Sequence, residues 1–527
     1  MKTQVLYLFF LFVSLLNAQQ KPNVVVIIAD DLGYADLSFL AQAPDDVKKF
    51  RTPGFDKLAK TGTYFENAYS TSSICSPSRA GLITGRYQER WGNYSYSEGG
   101  LPLDELTIPE ALLKIGYKTS KLGKTHLNGG PKKHPSQHGF ETFLGFMFHT
   151  WDYIRLSQKD LDAVLEKNNG KKYIGNQVVG PLLKATALHQ PPKTYEKVSY
   201  ENAFTTKIFT DEAVSYIEKN KKEEKPFYLH VSFNAVHMPT YVTDKTWAEK
   251  VGAPYTEWDR NAKEWGFPYW EPNKETHQVF HKKWGHLEEV DKNGRRSYLS
   301  HLLALDYGVW QILKTLEETG QRENTIVFFV SDNGGTINTY ANNTPLNGYK
   351  YMLAEGGIRI PFLMSMPGTL PQGEVNSESI ISTMDIFPTI LDLADEEIPQ
   401  NLDGKSLLPV LNHEKELHHE HLVWALNRDS WVVRMGKWKL TNNAGWTHQN
   451  YTLTKNGDAV RNLKKYTYPT QPHLYNLEED ISETTNLIGK HPKIVAQMKE
   501  LYNKWNQEMP GPLNSFGQPK KKKKSKK

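Results

Sequence analysis

The chain has 527 residues, a formal net charge of +5, 38% hydrophobic and 23% charged residues, which excludes a collagen-like, disordered or coiled-coil protein. At about 150 residues per domain this length implies roughly three units, or one large domain with an appendage. Seven lysines, Lys520 to Lys524, Lys526 and Lys527, fall in the last eight residues, so the body without them carries −2 and offers no domain-wide basic face for nucleic acid. Aromatic residues reach 12%, with 13 Trp and 27 Tyr, a surplus that fits enclosed ring-stacking surfaces.

In chain order, Met1-Lys-Thr-Gln is followed by an apolar run from Val5 to Leu16 and then by Asn17-Ala18-Gln19. A run of twelve residues falls short of the about 20 that cross a bilayer. The segment 1–18 therefore reads as a secretory signal cleaved after Ala18. No later stretch is apolar and long enough for a transmembrane anchor, and no cysteine follows the run to accept a lipid, so an exported, periplasmic or secreted protein is expected. One cysteine in the whole chain excludes an internal disulfide, although export would permit them.

Residues 23 to 30 form a continuous β-branched run that ends in carboxylates, the pattern of a parallel strand buried on both faces. Similar runs recur at Phe227 to Phe233, Thr325 to Ser331 and Pro361 to Met366, and helical patterns lie between them at Glu105 to Ile115, Asn202 to Lys219 and Ser297 to Thr319. This alternation predicts a large, mostly parallel α/β sheet with helices on both faces. Ligands of such sheets sit beyond the carboxyl ends of the strands. There the polar clusters fall: Asp30 and Asp31 after the first strand, His237 after the second, Asp332 and Asn333 after the third.

After about residue 415 the texture changes to short aromatic and β-branched segments, Leu422 to Leu426, Trp431 to Met435 and Lys437 to Thr441. These predict a small antiparallel sheet, with His491 to Gln507 as an amphipathic helix against it. The expected organisation is a signal at 1–18, a catalytic unit at 19–415, an α+β subdomain at 416–511 and a disordered lysine tail at 512–527.

On residue type alone a single cysteine is a small buried hydrophobe. Its neighbours, Cys75-Ser-Pro-Ser-Arg79 and Leu82-Ile-Thr-Gly85, say otherwise. Pro77 suits a first helical turn and Gly85 a helix stop, so a short helix starts just after Cys75. Its amino end would favour an anion, and Arg79 would add a charge able to fork onto two oxygens.

This run resembles the motif of the type I sulfatases, of the alkaline phosphatase superfamily. The resemblance continues through Asn23 to Asp31, Gly123-Lys124-Thr125-His126, His237-Met-Pro239, Ser331-Asp332-Asn333-Gly334-Gly335, Lys350 before Glu355-Gly-Gly-Ile-Arg-Ile-Pro361, Leu474 to Asp480, and Asn486-Leu487. It covers residues 22 to 510 in order. The visible departure is Thr125, where the family commonly has Trp.

The resemblance implies an alkaline phosphatase-like fold and a sulfuric ester hydrolase. It implies that a formylglycine-generating, or sulfatase-maturating, enzyme oxidises Cys75 to Cα-formylglycine (3-oxoalanine), whose hydrate is the nucleophile. It places one cation on Asp30, Asp31, Cys75, Asp332 and Asn333. The hard oxygen donors of this set point to Ca²⁺, ahead of Mg²⁺, rather than to metals that seek thiolate or imidazole. Lys124, Lys350 and the helix terminus would meet charge on the sulfuryl oxygens. His237 would protonate the departing alcohol and His126 would strip a hydroxyl to release sulfate, roles that are open to exchange.

For the substrate, Trp247, Trp258, Trp265, Trp270 and Trp284, with Tyr255, Tyr269, His277 and His281, crowd the stretch after His237. They are expected either to wall the pocket or to anchor a long loop. Phe143 to Tyr200 is the candidate opposite wall. Together with the leader, these features resemble carbohydrate sulfatases that attack marine polymers such as ulvan, fucoidan or carrageenan. A formylglycine-dependent phosphodiester or phosphonate monoester hydrolase is the alternative. A non-catalytic polysaccharide-binding protein would show a broken motif, and Cys75, Pro77 and Arg79 are all present.

Overall fold

The computed structural model describes residues 21–513 except 96–99, 128–133, 148–152, 168–180, 192–193, 202, 239, 241–242, 256, 258–260, 262–292, 415–417, 443–451, 454–458 and 461–470. The leader, residues 514–527 of the lysine tail and most of the aromatic stretch lie outside the described residues; Trp247 and Tyr255 lie within them, as do Pro512 and Leu513, which is not disordered but donates its N–H to Gly92 O at 3.0 Å.

A ten-stranded sheet organises the larger part of the chain. In chain order its strands are β1 (Asn23–Ala29), β2 (Thr63–Phe65), β3 (Lys118–Lys124), β4 (Thr142–Phe146), β5 (Leu182–Ala185), β6 (Glu196–Val198), β7 (Phe227–Ser232), β8 (Thr325–Ser331), β9 (Phe362–Ser365) and β10 (Glu374–Asn376). Across the sheet they run β10-β2-β9-β8-β1-β7-β3-β4-β5-β6. From β8 to β4 every pairing is parallel. The antiparallel pairings flank this middle.

All seven residues of β1 are buried, as its unbroken run of β-branched residues requires, because each face carries a helical layer. Val25 and Ile27 pack with α2 (Thr205–Asn220) and α3 (Gly294–Glu318). Val24, Val26 and Ile28 pack with α1 (Cys75–Thr84) and with the helices Ile108–Lys114 and Ile386–Leu393. The helix expected from Glu105 begins at Ile108, because Thr107 and Glu110 form a capping box there.

The stretch from Phe143 to Tyr200, a candidate pocket wall, supplies most of β4 and all of β5 and β6 at one edge of the sheet. A separate antiparallel sheet of β11 (His421–Asn427), β12 (Ser430–Met435), β13 (Trp438–Asn442) and β14 (His473–Asn476) follows, in that spatial order. α4 (Pro492–Gln507) covers it, with the Trp431 and Tyr502 rings stacked at 4.0 Å. Among the described residues no helix is long and apolar enough to cross a membrane.

Candidate active site

Four adjacent parallel strands empty their carboxyl ends into one buried site. β1 delivers Asp30 and Asp31, β8 delivers Asp332 and Asn333, β3 ends on Lys124, and β7 ends on Ser232 before the turn to His237. This is the position at which open parallel sheets bind ligands. Asp31 takes φ 61°, a left-handed conformation uncommon outside glycine, and its backbone N–H donates to Asp332 Oδ1 at 3.2 Å.

α1 brings Cys75 to the same place. The helix includes Cys75 itself, no side chain caps it at Ile74, and Gly85 ends it at φ 64°. Cys75 Sγ lies 3.6 Å from Asp30 Oδ1 and 3.9 Å from Asp31 Oδ1. Burial, with the nearby Asp332 carboxylate adding to it, pushes the thiol well above its ordinary range despite Lys124 and Lys350.

Three buried cations ring these carboxylates. Lys124 Nζ is 2.6 Å from Asp30 Oδ2, and Lys350 Nζ is 2.7 Å from Asp31 Oδ1. Arg79 departs from the expectation that its fork would be open to a bound anion. It donates Nε to Asp332 Oδ2 at 2.8 Å and Nη1 to Ser232 Oγ, while Nη2 makes ion-pair contacts with Asp332 Oδ2 at 2.7 Å and Asp30 Oδ1 at 3.5 Å. Ser232 went unnoticed in the sequence, where a serine at a strand end carries no distinguishing pattern.

Burial alone would raise the Asp30 carboxyl; Lys124, His237, Arg79 and Lys350 outweigh it and hold the group well below the usual range. Lys350 stays well above its ordinary value: burial opposes its charge, but Asp31, Cys75, Tyr351 and Asp30 together outweigh it. Asp332 is pushed up to about 6, because burial and the Asp30 and Asp31 charges exceed the help from Arg79.

His237 joins Asp30, Asp31 and Cys75 in a group whose ligand atoms all lie within 4.8 Å of one another. Its Nδ1 is 2.7 Å from Met238 O and its Nε2 3.6 Å from Asp31 Oδ2. Burial first, then Lys350, pushes it down to about 4, against the pull of Asp30 and Asp31. His126, two residues beyond Lys124 with φ 46°, is not in that group. Asn333 donates Nδ2 to Asp31 Oδ1 at 2.7 Å and to Gly334 O at 2.9 Å, while its Oδ1 is buried with no hydrogen-bond donor. A buried acceptor in that state calls for a cation or water, and next to three carboxylates the donor set fits a hard divalent ion.

Residues 22–396 match the family model described as Sulfatase. The chain belongs to the sulfatase family. As a sulfatase it hydrolyses sulfuric esters, and residues 348–508 also match the model of the N-sulphoglucosamine sulphohydrolase C-terminal region. This sulfatase is 26% identical to the N-acetylgalactosamine-6-sulfatase of Mus musculus over 535 residues, covering 93% of this chain and 90% of the mouse protein. Against human arylsulfatase A it is 27% identical over 507 residues, covering 92% and 88% of the two chains. Among solved structures it resembles Ps i-CgsB in complex with k-i-k-neocarrahexaose, with a TM-score of 0.70, 28% identity, and 93% and 94% of the two chains covered.

Proposed function

We propose that the protein removes sulfate from a sulfated carbohydrate, a marine algal polysaccharide or its oligosaccharides of the ulvan, fucoidan or carrageenan type. It does so at Cys75 after a maturating enzyme has converted that residue to Cα-formylglycine. The observation that carries this reading is a buried cysteine set 3.6 Å from Asp30 amid Lys124, Lys350 and Arg79. The similarity to a protein solved with k-i-k-neocarrahexaose supports the carrageenan end of the range.

Asp30, Asp31, Asp332 and Asn333 would hold one Ca²⁺, whose charge would lower the pKa of a hydroxyl at position 75 and polarise the sulfuryl oxygens. Lys124 and Lys350, ion-paired with Asp30 and Asp31, grip those oxygens and gather charge there as the S–O bond breaks. Arg79 fixes Asp332 and, through Ser232, ties the end of β7 to α1. His237 holds a proton for the leaving alcohol: a donor bond from Nδ1 to Met238 O orients the ring, and an arriving sulfate monoanion raises its affinity for a proton. His126, at the end of β3, is the base of the second half-reaction.

Residues 19–415 make up the catalytic unit and 416–511 a buttress for it, and residues 1–18 export the chain to the periplasm or beyond. A panel of sulfated algal oligosaccharides, scored by released sulfate and product mass, tests the reading. Release from at least one of them supports it. Faster turnover of a phosphate diester than of any sulfate ester would replace it with a phosphodiesterase.

A further inference from the structure

Among the described residues a second cluster of metal-binding side chains lies at the opposite end of α1 from Cys75. Asp385, His418 and His419 each bring one ligand atom to within 4.8 Å of the others, and all three side chains are buried. His419 Nε2 is 2.8 Å from Asp385 Oδ1, and His418 Nε2 is 3.3 Å from Asp385 Oδ2. The two imidazole rings stand edge to face, 4.9 Å apart at 88°. Gly85, which ends α1, ties that helix to this region: its carbonyl accepts the Asp403 and Gly404 N–H groups at 3.0 Å each, and a Cβ added to it would meet Phe387 at 3.1 Å.

His418 Nε2 is the atom left over. It is buried and 3.3 Å from a carboxylate oxygen, yet it forms no hydrogen bond. A buried ring nitrogen in that state calls for a partner. Protonating both rings would set two desolvated cations against one carboxylate, a costly arrangement. A divalent cation between neutral imidazoles and an ionised Asp385 satisfies all three groups at once. Donor atoms bonded to a tetrahedral ion at about 2.0–2.1 Å lie roughly 3.3 Å from one another, and both Asp385–His separations are already close to that spacing. The carboxylate is also held in place from behind. Its Oδ1 accepts the Lys405 N–H and its Oδ2 the Ser382 N–H, both at 2.8 Å, which leaves each oxygen a second lone pair. Such outer support is what metal-binding carboxylates carry. The Lys405 ammonium donates instead to His418 O at 3.2 Å.

We propose that Asp385, His418 and His419 bind one Zn²⁺ in a structural site separate from the cation position at Asp30 and Asp31. Two imidazoles and one carboxylate suit zinc, whereas Ca²⁺ takes oxygen donors alone, and a water completes the fourth position. The ion pins the segment that enters β11, through His419 two residues before it, to the turn that opens the helix Ile386–Leu393 against α1. The His419 N–H, donating to Ile380 O at 3.3 Å, makes the only other tie needed to fix that entry.

The test uses the full chain in excess Ca²⁺, cleared of transition metals by a chelator and then titrated with Zn²⁺ alone. Zinc content after gel filtration and the melting temperature are measured. Wild type is expected to retain one zinc per chain and to melt higher with it, by mass action. His418→Gln and His419→Gln should each weaken zinc binding at least about tenfold, the least that disturbing a metal's ligand shell costs, and should lose the zinc-dependent rise in melting temperature. Cys75→Ser should keep both. A wild type that retains no zinc overturns the inference. So does zinc held at wild-type affinity in either histidine variant, or zinc lost with Cys75→Ser, which would place the ion beside His237 in the active site. If a histidine variant does not fold, the Co²⁺ form of wild type decides. A tetrahedral spectrum without a thiolate charge-transfer band supports the site, and an octahedral spectrum or a thiolate band overturns it. Neither readout depends on sulfate release, so the zinc site and the proposed function stand or fall separately.

Discussion

Lys439 of the small C-terminal sheet lies 2.8 Å from Glu355, five residues beyond Lys350 in the larger unit, and 2.8 Å from Glu483. All three side chains are buried, and Glu483 also accepts the Glu355 backbone N–H at 2.7 Å. Gly356 and Gly357, which follow Glu355, pack against Gly334, where an added Cβ would lie 1.9 Å from Gly356 O. The C-terminal sheet thus clamps the segment that carries Lys350 onto the loop that carries Asn333. Lys439→Met removes the 2.8 Å partner of both buried carboxylates, leaving Glu355 only its longer ion pairs with Arg359 at 3.5 Å and Arg434 at 3.6 Å, and is expected to cost about 3 kcal/mol. Denaturant unfolding checks this; a loss near zero would mean that the clamp bears no stress.

Metal removal is expected to abolish turnover and lower the melting temperature, and Ca²⁺ to restore both, since an ion bound only by the folded state stabilises it by mass action. In Asp31→Asn, Ca²⁺ should restore neither. Elemental analysis with thermal melts reads this out, and full metal content in the variant would remove Asp31 from the ligand set.

His237 as proton donor makes a prediction about leaving groups. His237→Ala is expected to slow release of a sugar alcohol by about 10²–10⁴-fold and that of nitrophenol far less, because an acidic phenol leaves without help. His126→Ala should slow both alike. Rates on paired substrates distinguish the two, and a reversed pattern would exchange the roles.

Away from the site, Asp306 on α3 accepts from Gly54 N–H at 3.1 Å and Phe55 N–H at 2.9 Å, in the first turn of the helix Pro53–Lys60. Burial pushes it up to about 7, against those two bonds. The folded state therefore holds this proton more tightly than the unfolded chain, whose Asp titrates near 3.9. The stabilisation is complete below about pH 4 and is lost as pH rises toward about 7. Asp306→Asn is expected to flatten the fall in stability between pH 5 and 7.5; an equally steep fall would assign it to other groups.

Much of this architecture is legible in the sequence, and the exceptions have physical causes. β1, β7 and β8 announce themselves because strands buried on both faces need unbroken apolar runs. β3 is as buried but spells Lys-Thr-Ser-Lys-Leu-Gly-Lys, so no apolar pattern marks it. Its polar side chains find partners within the fold: Thr119 donates to Gly139 O and Lys124 pairs with Asp30. The metal-type residues are visible as carboxylates at strand ends. Arg79's partner was not, since the pairing with Asp332 depends on how α1 docks across β8, which no local spacing encodes.

Mass spectrometry of the peptide containing Cys75, taken from fully active protein, tests the central claim most directly. The account predicts an aldehyde at position 75 that reacts with a hydrazide probe, in a fraction that tracks specific activity across preparations. Full activity in a preparation whose Cys75 carries an unaltered thiol would contradict it.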